Sequence, residues 1–589
     1  MKVSEKVYDF VIIGSGFGGS VSAMRLSEKG YSVLVLERGK RYNAENFPTT
    51  DWNLPKFLWF PAARCFGYFG LNFFNDLFLL NGSGVGGGSL VYSSTHIKPP
   101  QAFFQGEEWR DLADWEAELE PHYETANRML GTAENPKFWP ADHELYEIAK
   151  ELGQEHTFKT TPVGIYFGEP GVTVPDPYFN GEGPIRTGCI HCGGCIVGCR
   201  HNAKNTLDKN YLYLAEKNGT EVRPESNVLD IRPLYGPHPG AARYEIEIEK
   251  ITDWFNKRRE TVRARNVVVS AGVLGTLNLL LKCRDDNKSL PLLSQRLGKR
   301  VRTNSEAIMG SIARDNDVDY SEGVSITSSF WIDDVTSIEP VRYPAGSSFV
   351  RNLTMPLIPF KGNIRTRLAN VLRQTVKQPM DFVHTRVLPR WSERLTFILI
   401  MQTIDNRMSM SRSRSIWTLF RKGLVSERDK GLPIPNTIEA GSHIVKKFAE
   451  KTNGVPMAGI NDVLDMPNTA HILGGCGIGA DASTGVIDIN QQVFNYPGMY
   501  VADASAIPAN LGVNPTLTIS AMTERAMTKI PAKKDVNQIP PLQRPEGLEY
   551  VENGKNGRGS LLSKAGPFMF LAILLPLIFG VLKLRARNH

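Results

Sequence analysis

The sequence predicts an α/β fold built on a parallel sheet, and three observations predict it. The first is an N-terminal strand, turn, helix and strand in succession. Tyr8-Asp-Phe-Val-Ile-Ile-Gly14 is a short apolar strand, Ser15-Gly16-Phe17-Gly18-Gly19 opens a helical stretch that runs to Gly30, and Ser32-Val-Leu-Val-Leu-Glu37 is a second strand. Gly14 allows the tight turn, Gly16 lets bare backbone approach a pyrophosphate, and Gly19 lets the helix pack on the strand. The helix start offers unpaired N–H groups to phosphate. Glu37 ends the second strand where the ribose hydroxyls of a dinucleotide would lie, so the unit reads as a Rossmann-like dinucleotide-binding domain.

The second observation is a further glycine cluster, Asn81 to Leu90, containing Gly84, Gly86, Gly87, Gly88 and Ser89. Such a run brings backbone against a large planar or phosphorylated ligand, and two cradles suit a long dinucleotide. The third is Asn266-Val-Val-Val-Ser-Ala271-Gly272-Val-Leu-Gly275, an apolar strand that ends in a glycine turn and enters a helix. The chain leaves the nucleotide domain and returns to it.

A length of 589 residues with 41% hydrophobic and 22% charged residues predicts a globular protein of two or more domains. The net charge of +7 is spread along the chain, which excludes a nucleic-acid stripe. The N-terminus passes straight into a strand with no secretory signal, so the default compartment is cytoplasmic. Residues 565–582 carry no charge and as a helix would reach about 27 Å, against roughly 30 Å of hydrocarbon. They follow a polar linker at 531–564, which predicts a C-terminal anchor with the catalytic body on the cytoplasmic face. The basic tail Lys583 to His589 prefers the same side, and an insertion bent at Pro567 and Pro576 reconciles the two.

The remaining signal is polar. His471 sits in HILGG, and Asp503, Asn514, Pro515 and Thr516 sit in VADASAIPANLGVNPT. Together with GSGFGG, GSGVGGGSL, Asn205-Thr-Leu-Asp208-Lys-Asn-Tyr211-Leu and SAGVLGTLNLLLKC, they occur in an order that resembles the glucose-methanol-choline oxidoreductase family, most closely its cholesterol oxidase branch, over residues 8 to 530. The resemblance implies an FAD domain assembled from separated segments (mainly 1–312, with lid or substrate insertions near 45–76 and 113–200, and again 461–530). It implies an antiparallel-sheet substrate domain at 313–460.

It also implies roles. His471 and Asn514 become the catalytic pair at the carbinol, because hydride leaves for flavin N5 only as the hydroxyl proton is lost or shared. Asn514-Pro515-Thr516 becomes a helix start facing the reduced flavin's negative charge, and Asp503 a holder of the ribityl chain. Glu339, five residues before Pro344-Ala-Gly, matches the carboxylate that moves a proton when a 5-ene-3-ketone isomerises; a plain surface charge is the other reading.

Two departures stand out. Tyr92 replaces an Asn near the flavin ring. The aromatic-rich segment from Trp52 to Leu80 reads as an apolar entrance or membrane-facing lid, with ordinary core as the other reading. Separately, Cys189-Ile-His-Cys192-Gly-Gly-Cys195-Ile-Val-Gly-Cys199 has the spacing of a bacterial ferredoxin run, although Arg200 stands where Pro is usual. An iron–sulfur cluster, a zinc ion, and thiols or disulfides all remain open for it. Cys65, Cys283 and Cys476 read as packed core.

The expectation is therefore a membrane-associated FAD enzyme that oxidises the hydroxyl of a sterol or other bulky hydrophobic alcohol, passing electrons to O₂ or to a membrane acceptor. A sugar, polyol or long-chain alcohol dehydrogenase with an iron–sulfur relay is one alternative. A flavin- or lipid-binding protein without catalysis is the other.

Overall fold

A seven-stranded sheet forms the nucleotide half of the molecule, here a computed structural model that describes residues 2–254, 257–358, 362–418, 420–435, 437–536 and 539–545. Its strands run in the order Glu221–Arg223, Val33–Leu36, Lys2–Ile13, Arg259–Val269, Tyr244–Lys250, Ser226–Pro233, with Met499–Val501 paired on Arg259–Val269. The inner pairings are parallel: Phe10 lies opposite Val33, Val11 opposite Val267, and Val267 opposite Met499. Val267, Val268 and Val269 are wholly buried, as expected of a strand covered on both faces. Each contributes roughly 1.5–3 kcal/mol by burial.

Helix Phe17–Glu28 packs onto this sheet so closely that a Cβ on Gly18 would stand 1.6 Å from the Ala502 carbonyl oxygen. Only glycine lets the helix approach there. Helix Thr516–Thr528 lies beside it and is almost entirely buried.

A second seven-stranded sheet is antiparallel throughout, in the order Thr354–Pro356, Gly454–Gly459, Ala307–Ala313, Leu395–Gln402, Thr336–Val341, Ser328–Trp331, Lys159–Thr160. Helices Pro140–Glu151 and Glu439–Lys451 cover one face through Leu145, Ile148, Ile444 and Phe448. A buried ion pair, Arg342 to Asp142 at 2.7 Å, ties the first of these helices to the sheet, and Thr327 and Ser328 satisfy the other carboxylate oxygen.

One expectation is narrowed and one falls outside the described residues. The aromatic segment from Trp52 to Leu80 turns mostly inward, with Trp52 itself exposed: Phe57, Tyr68 and Phe69 pack with Tyr42, Leu90 and Trp391 into a core cluster, and Phe69–Phe73 pairs with Phe78–Gly82 as a hairpin. Phe69, Leu71, Phe78, Leu79 and Leu80 also line the cavity described below, so beyond the exposed Trp52 the segment is part core and part cavity wall. The expected anchor at 565–582 lies outside the described residues; among the described ones, no helix is long and apolar enough to cross a membrane.

Candidate active site

Between the two sheets lies a cavity of about 370 Å³. Three helices begin at its wall. Phe17–Glu28, Gly272–Leu281 and Thr516–Thr528 all start without a side-chain cap and without an acid in the first turn, and Gly16, Ala271 and Pro515 at those starts line the cavity. Uncapped N–H groups converging on one space make a site for anionic groups. A Cβ on Gly16 would meet no protein atom within 4 Å, so the room beside that backbone is open to a ligand.

The other predicted nucleotide residues brace this space more than they line it. Glu37 is buried; its Oε2 accepts from Ser15 N at 3.1 Å and Ser15 Oγ at 2.8 Å, and its Oε1 from Gly39 N at 2.8 Å. Ser15 Oγ in turn accepts from Gly86 N at 3.1 Å, joining the two glycine loops. A Cβ on Gly87 would stand 2.7 Å from Gly16 Cα, and one on Gly19 2.1 Å from the Gly14 carbonyl oxygen. Gly84 abuts Gly39, Ser89 Oγ donates to Gly86 O and accepts from Leu207 N, and Gly88 reaches the cavity.

Asp503, Asn514, Pro515 and Thr516 line the cavity. Asp503 is fixed by Thr276 Oγ1 at 2.6 Å and by Ser505 N at 2.8 Å, while burial pushes its carboxyl above the usual range. Tyr92 also lines the cavity; its ring meets Phe17 edge-on at 5.4 Å and its hydroxyl donates to Asn205 O.

One group of polar side chains in the wall carries the predicted pair. His471 and Asn514 line the cavity, and Glu339 stands behind Asn514, wholly buried, with its Oε2 accepting from Asn514 Nδ2 at 3.2 Å. That bond leaves Asn514 Oδ1 as an acceptor with no protein partner. Burial pushes the Glu339 carboxyl up to about 7.

Two contributors carried no sequence motif. Glu306 lies 2.9 Å from His471 Nδ1, at ion-pair distance though off the line of a well-aligned hydrogen bond. Burial penalises the His471 imidazolium, but Glu306 outweighs that penalty and raises its pKa. Asn304 holds the loop before Asn514: its Oδ1 accepts from Leu511 N and Gly512 N, and its Nδ2 donates to Val513 O at 2.9 Å. Neither residue has a local spacing signal. Each acts on a segment more than 160 residues away.

Known proteins match on the same segments. Residues 12–50 match the model of an NAD(P)-binding Rossmann-like domain, and residues 437–523 match that of GMC oxidoreductase. The chain is 45% identical to a cholesterol oxidase of Acinetobacter baumannii over 91% of its own length and 97% of the relative's. The chain belongs to the GMC oxidoreductases, in their cholesterol oxidase branch. A cholesterol oxidase of Mycobacterium tuberculosis H37Rv is 42% identical over 91% of this chain and 93% of its own. The fold also matches a solved pyridoxine 4-oxidase, with TM-score 0.57 and 14% identity over 89% of this chain and 99% of that one.

This GMC oxidoreductase is an FAD-dependent enzyme acting on CH–OH donors. The three uncapped helix starts and the open backbone at Gly16 fit the dinucleotide, and Asp503 lines the same cavity. FAD, when bound, supplies the hydride acceptor.

The four-cysteine run does not form the zinc site considered for it. All seven cysteines are free thiols, which removes local disulfides as well. A zinc ion needs sulfur atoms about 2.3 Å from one point. Among the described residues, no group of three or more His, Cys, Asp or Glu is arranged to hold a metal ion. Cys189 and Cys195 are buried and Cys192 is exposed; Cys189, Cys192, Cys195 and Cys199 instead line a small void, and burial lifts the thiols of Cys189 and Cys195. Lys204, buried beside them, donates to Cys195 O at 2.8 Å, and burial pulls its ammonium down to about 7.

Proposed function

We propose that the alcohol oxidised is a sterol or another bulky hydrophobic alcohol, with His471 and Asn514 acting on its hydroxyl. One observation carries this reading: the cavity is walled largely by apolar side chains such as Phe69, Leu71, Ile308, Val341, Phe397 and Met457, against which His471, Asn514 and Glu306 form one polar group of the lining. A sugar would leave its many hydroxyls unpaired against such walls.

With its Nδ1 proton directed to Glu306, His471 keeps the lone pair on Nε2, which takes the substrate's hydroxyl proton. Asn514 Oδ1 orients the same hydroxyl. The N-terminus of helix Thr516–Thr528 favours negative charge that develops beside it. Glu339, titrating near neutrality and screened from water, takes a proton from the carbon between the new ketone and the C=C bond and delivers it to the far carbon of that double bond, which thereby moves into conjugation with the ketone, as isomerisation of a 5-ene-3-ketone requires. Retention of this polar set speaks against a protein without catalysis.

The test is anaerobic stopped-flow reduction of the bound flavin by detergent-dispersed cholesterol, a long-chain alcohol and a sugar. Reduction by the first, or by the first two, supports the reading. Reduction by the sugar alone overturns it.

Electrons pass to O₂ in the simplest version. An iron–sulfur relay through Cys189, Cys192, Cys195 and Cys199 meets the same obstacle as zinc: the four line a void, and among the described residues no three of them are arranged to hold a metal ion, so no electron step is derived through them.

A further inference from the structure

Helices Ile364–Lys377 and Pro379–Val387 carry an apolar stripe turned to water. Ile364, Leu368, Leu372 and Val376 follow one another four residues apart, with exposure reaching 69% at Leu372 and 81% at Val376. At about 100° per residue they sweep about 120° of the helix surface. Met380, Val383 and Val387 continue the exposed apolar surface on the second helix.

This is not the packing face of the pair. Val371 and Phe382 supply that, against Met355, Ile358 and Ala458, and buried Arg367 donates to Gly362 O and Asp462 O. The stripe is therefore additional apolar surface, of a size that marks association.

Charge names the partner. Residues 362–390 contain six Arg or Lys and one acid, Asp381; Arg367 is paired with Asp465, Arg390 with Asp319 and Glu393, and Asp381 with Arg314 at 2.8 Å, which leaves Arg365, Arg373 and Lys377 as the positive charge the first helix presents. A basic helix with its apolar side chains outward fits the plane of an anionic bilayer surface. Its position agrees: helix Pro379–Val387 packs on Phe349–Leu353, Thr354–Pro356 and Gly454–Gly459, which supply Leu353, Thr354 and Met457 to the cavity wall. Trp52, partly exposed and edge-on to Phe349 at 5.9 Å, adds an aromatic of the kind found at membrane interfaces.

We propose that this helix pair docks in the interfacial plane of an anionic lipid bilayer and holds the cavity against the phase from which a lipid-dissolved alcohol enters. The last clause rests on the substrate reading above; the docking itself does not.

The test uses the full, FAD-loaded chain and vesicles of phosphatidylcholine with or without phosphatidylglycerol. Co-sedimentation is expected to be stronger on the anionic vesicles and to weaken with salt. L372E/V376E is expected to lower it roughly tenfold or more, and M380E on the other helix to lower it independently. Because these side chains face water, flavin reduction by a detergent-dispersed alcohol and thermal stability should stay at wild-type values.

Vesicle binding by L372E/V376E and M380E equal to wild type would overturn the proposal, and so would a wild-type protein that binds neither vesicle. A binding difference that persists while cholesterol fails to reduce the flavin of either protein would support the docking and strike the substrate reading alone.

Discussion

His471 Nδ1 stands 2.9 Å from Glu306 Oε2, and the same carboxylate accepts from Thr469 Oγ1 at 2.9 Å and from Ala470 N at 3.1 Å. One buried acid thus sets both the protonation of the imidazole and the path of the chain that carries it. Replacing Glu306 by Gln removes the charge that holds the His471 pKa up. The acid limb of the kcat/KM profile, where a protonated His471 stops taking protons, is expected to move to lower pH in E306Q. An unmoved limb would show that His471 is not the group being titrated.

Removing the ring itself tests the proton transfer. H471A is expected to bind FAD with an unchanged visible spectrum, and its flavin reduction by alcohol should slow by roughly 10²–10⁴-fold, the range of a lost general base. Undiminished reduction would remove His471 from the chemistry.

Glu339 combines a kinetic and a stability prediction. Its carboxyl keeps a proton up to about 7 when folded, against an ordinary value of 4.5. Between those values the folded state binds more protons than the unfolded one, so stability falls as pH rises, and above 7 the full penalty is present. E339Q is expected to raise the Tm at pH 8, with a gain of up to roughly 3 kcal/mol, and to give little change at pH 4. Oxidation should persist while isomerisation of the 5-ene-3-ketone is lost, measured as the absence of the conjugated product's ultraviolet band.

Neighbouring glycines separate binding from folding. A side chain at Gly16 points into open space, whereas one at Gly18 collides with the Ala502 carbonyl. G16V is expected to fold and purify without flavin. G18A is expected to lower the Tm or abolish soluble expression. A G16V protein that retains stoichiometric FAD would refute the cradle assignment.

What could be read from the sequence depended on whether the physics was local. The first glycine loop was legible because turn, close approach and helix start fall within six residues, and each demands the absence of a Cβ. Glu306 was not legible: its partner lies in a segment joined to it only by tertiary structure. Trp52 to Leu80 stayed open between entrance, lid and core because an aromatic run has the same composition in each place, and only the hairpin's partners decide. The cysteine spacing was plain in sequence, but whether four sulfurs converge on a point or ring a void is a three-dimensional property. The stripe from Ile364 to Val376 was periodic yet unremarked, since periodicity does not say which face a helix buries.

Val267 pairs with Met499, and Ala502 caps the approach of the first helix, so the N-terminal glycine loop is incomplete until the last strand of its sheet arrives. During synthesis at roughly 5–20 residues per second, that strand follows the loop by about 25 to 100 seconds. The nascent chain must carry an unsatisfied half-sheet through this interval, and such long-range pairing is slow in any case. Recombinant yield should therefore respond to growth temperature and chaperone supply more than to added riboflavin, because the cofactor has no finished place to bind before almost the whole enzyme has been made.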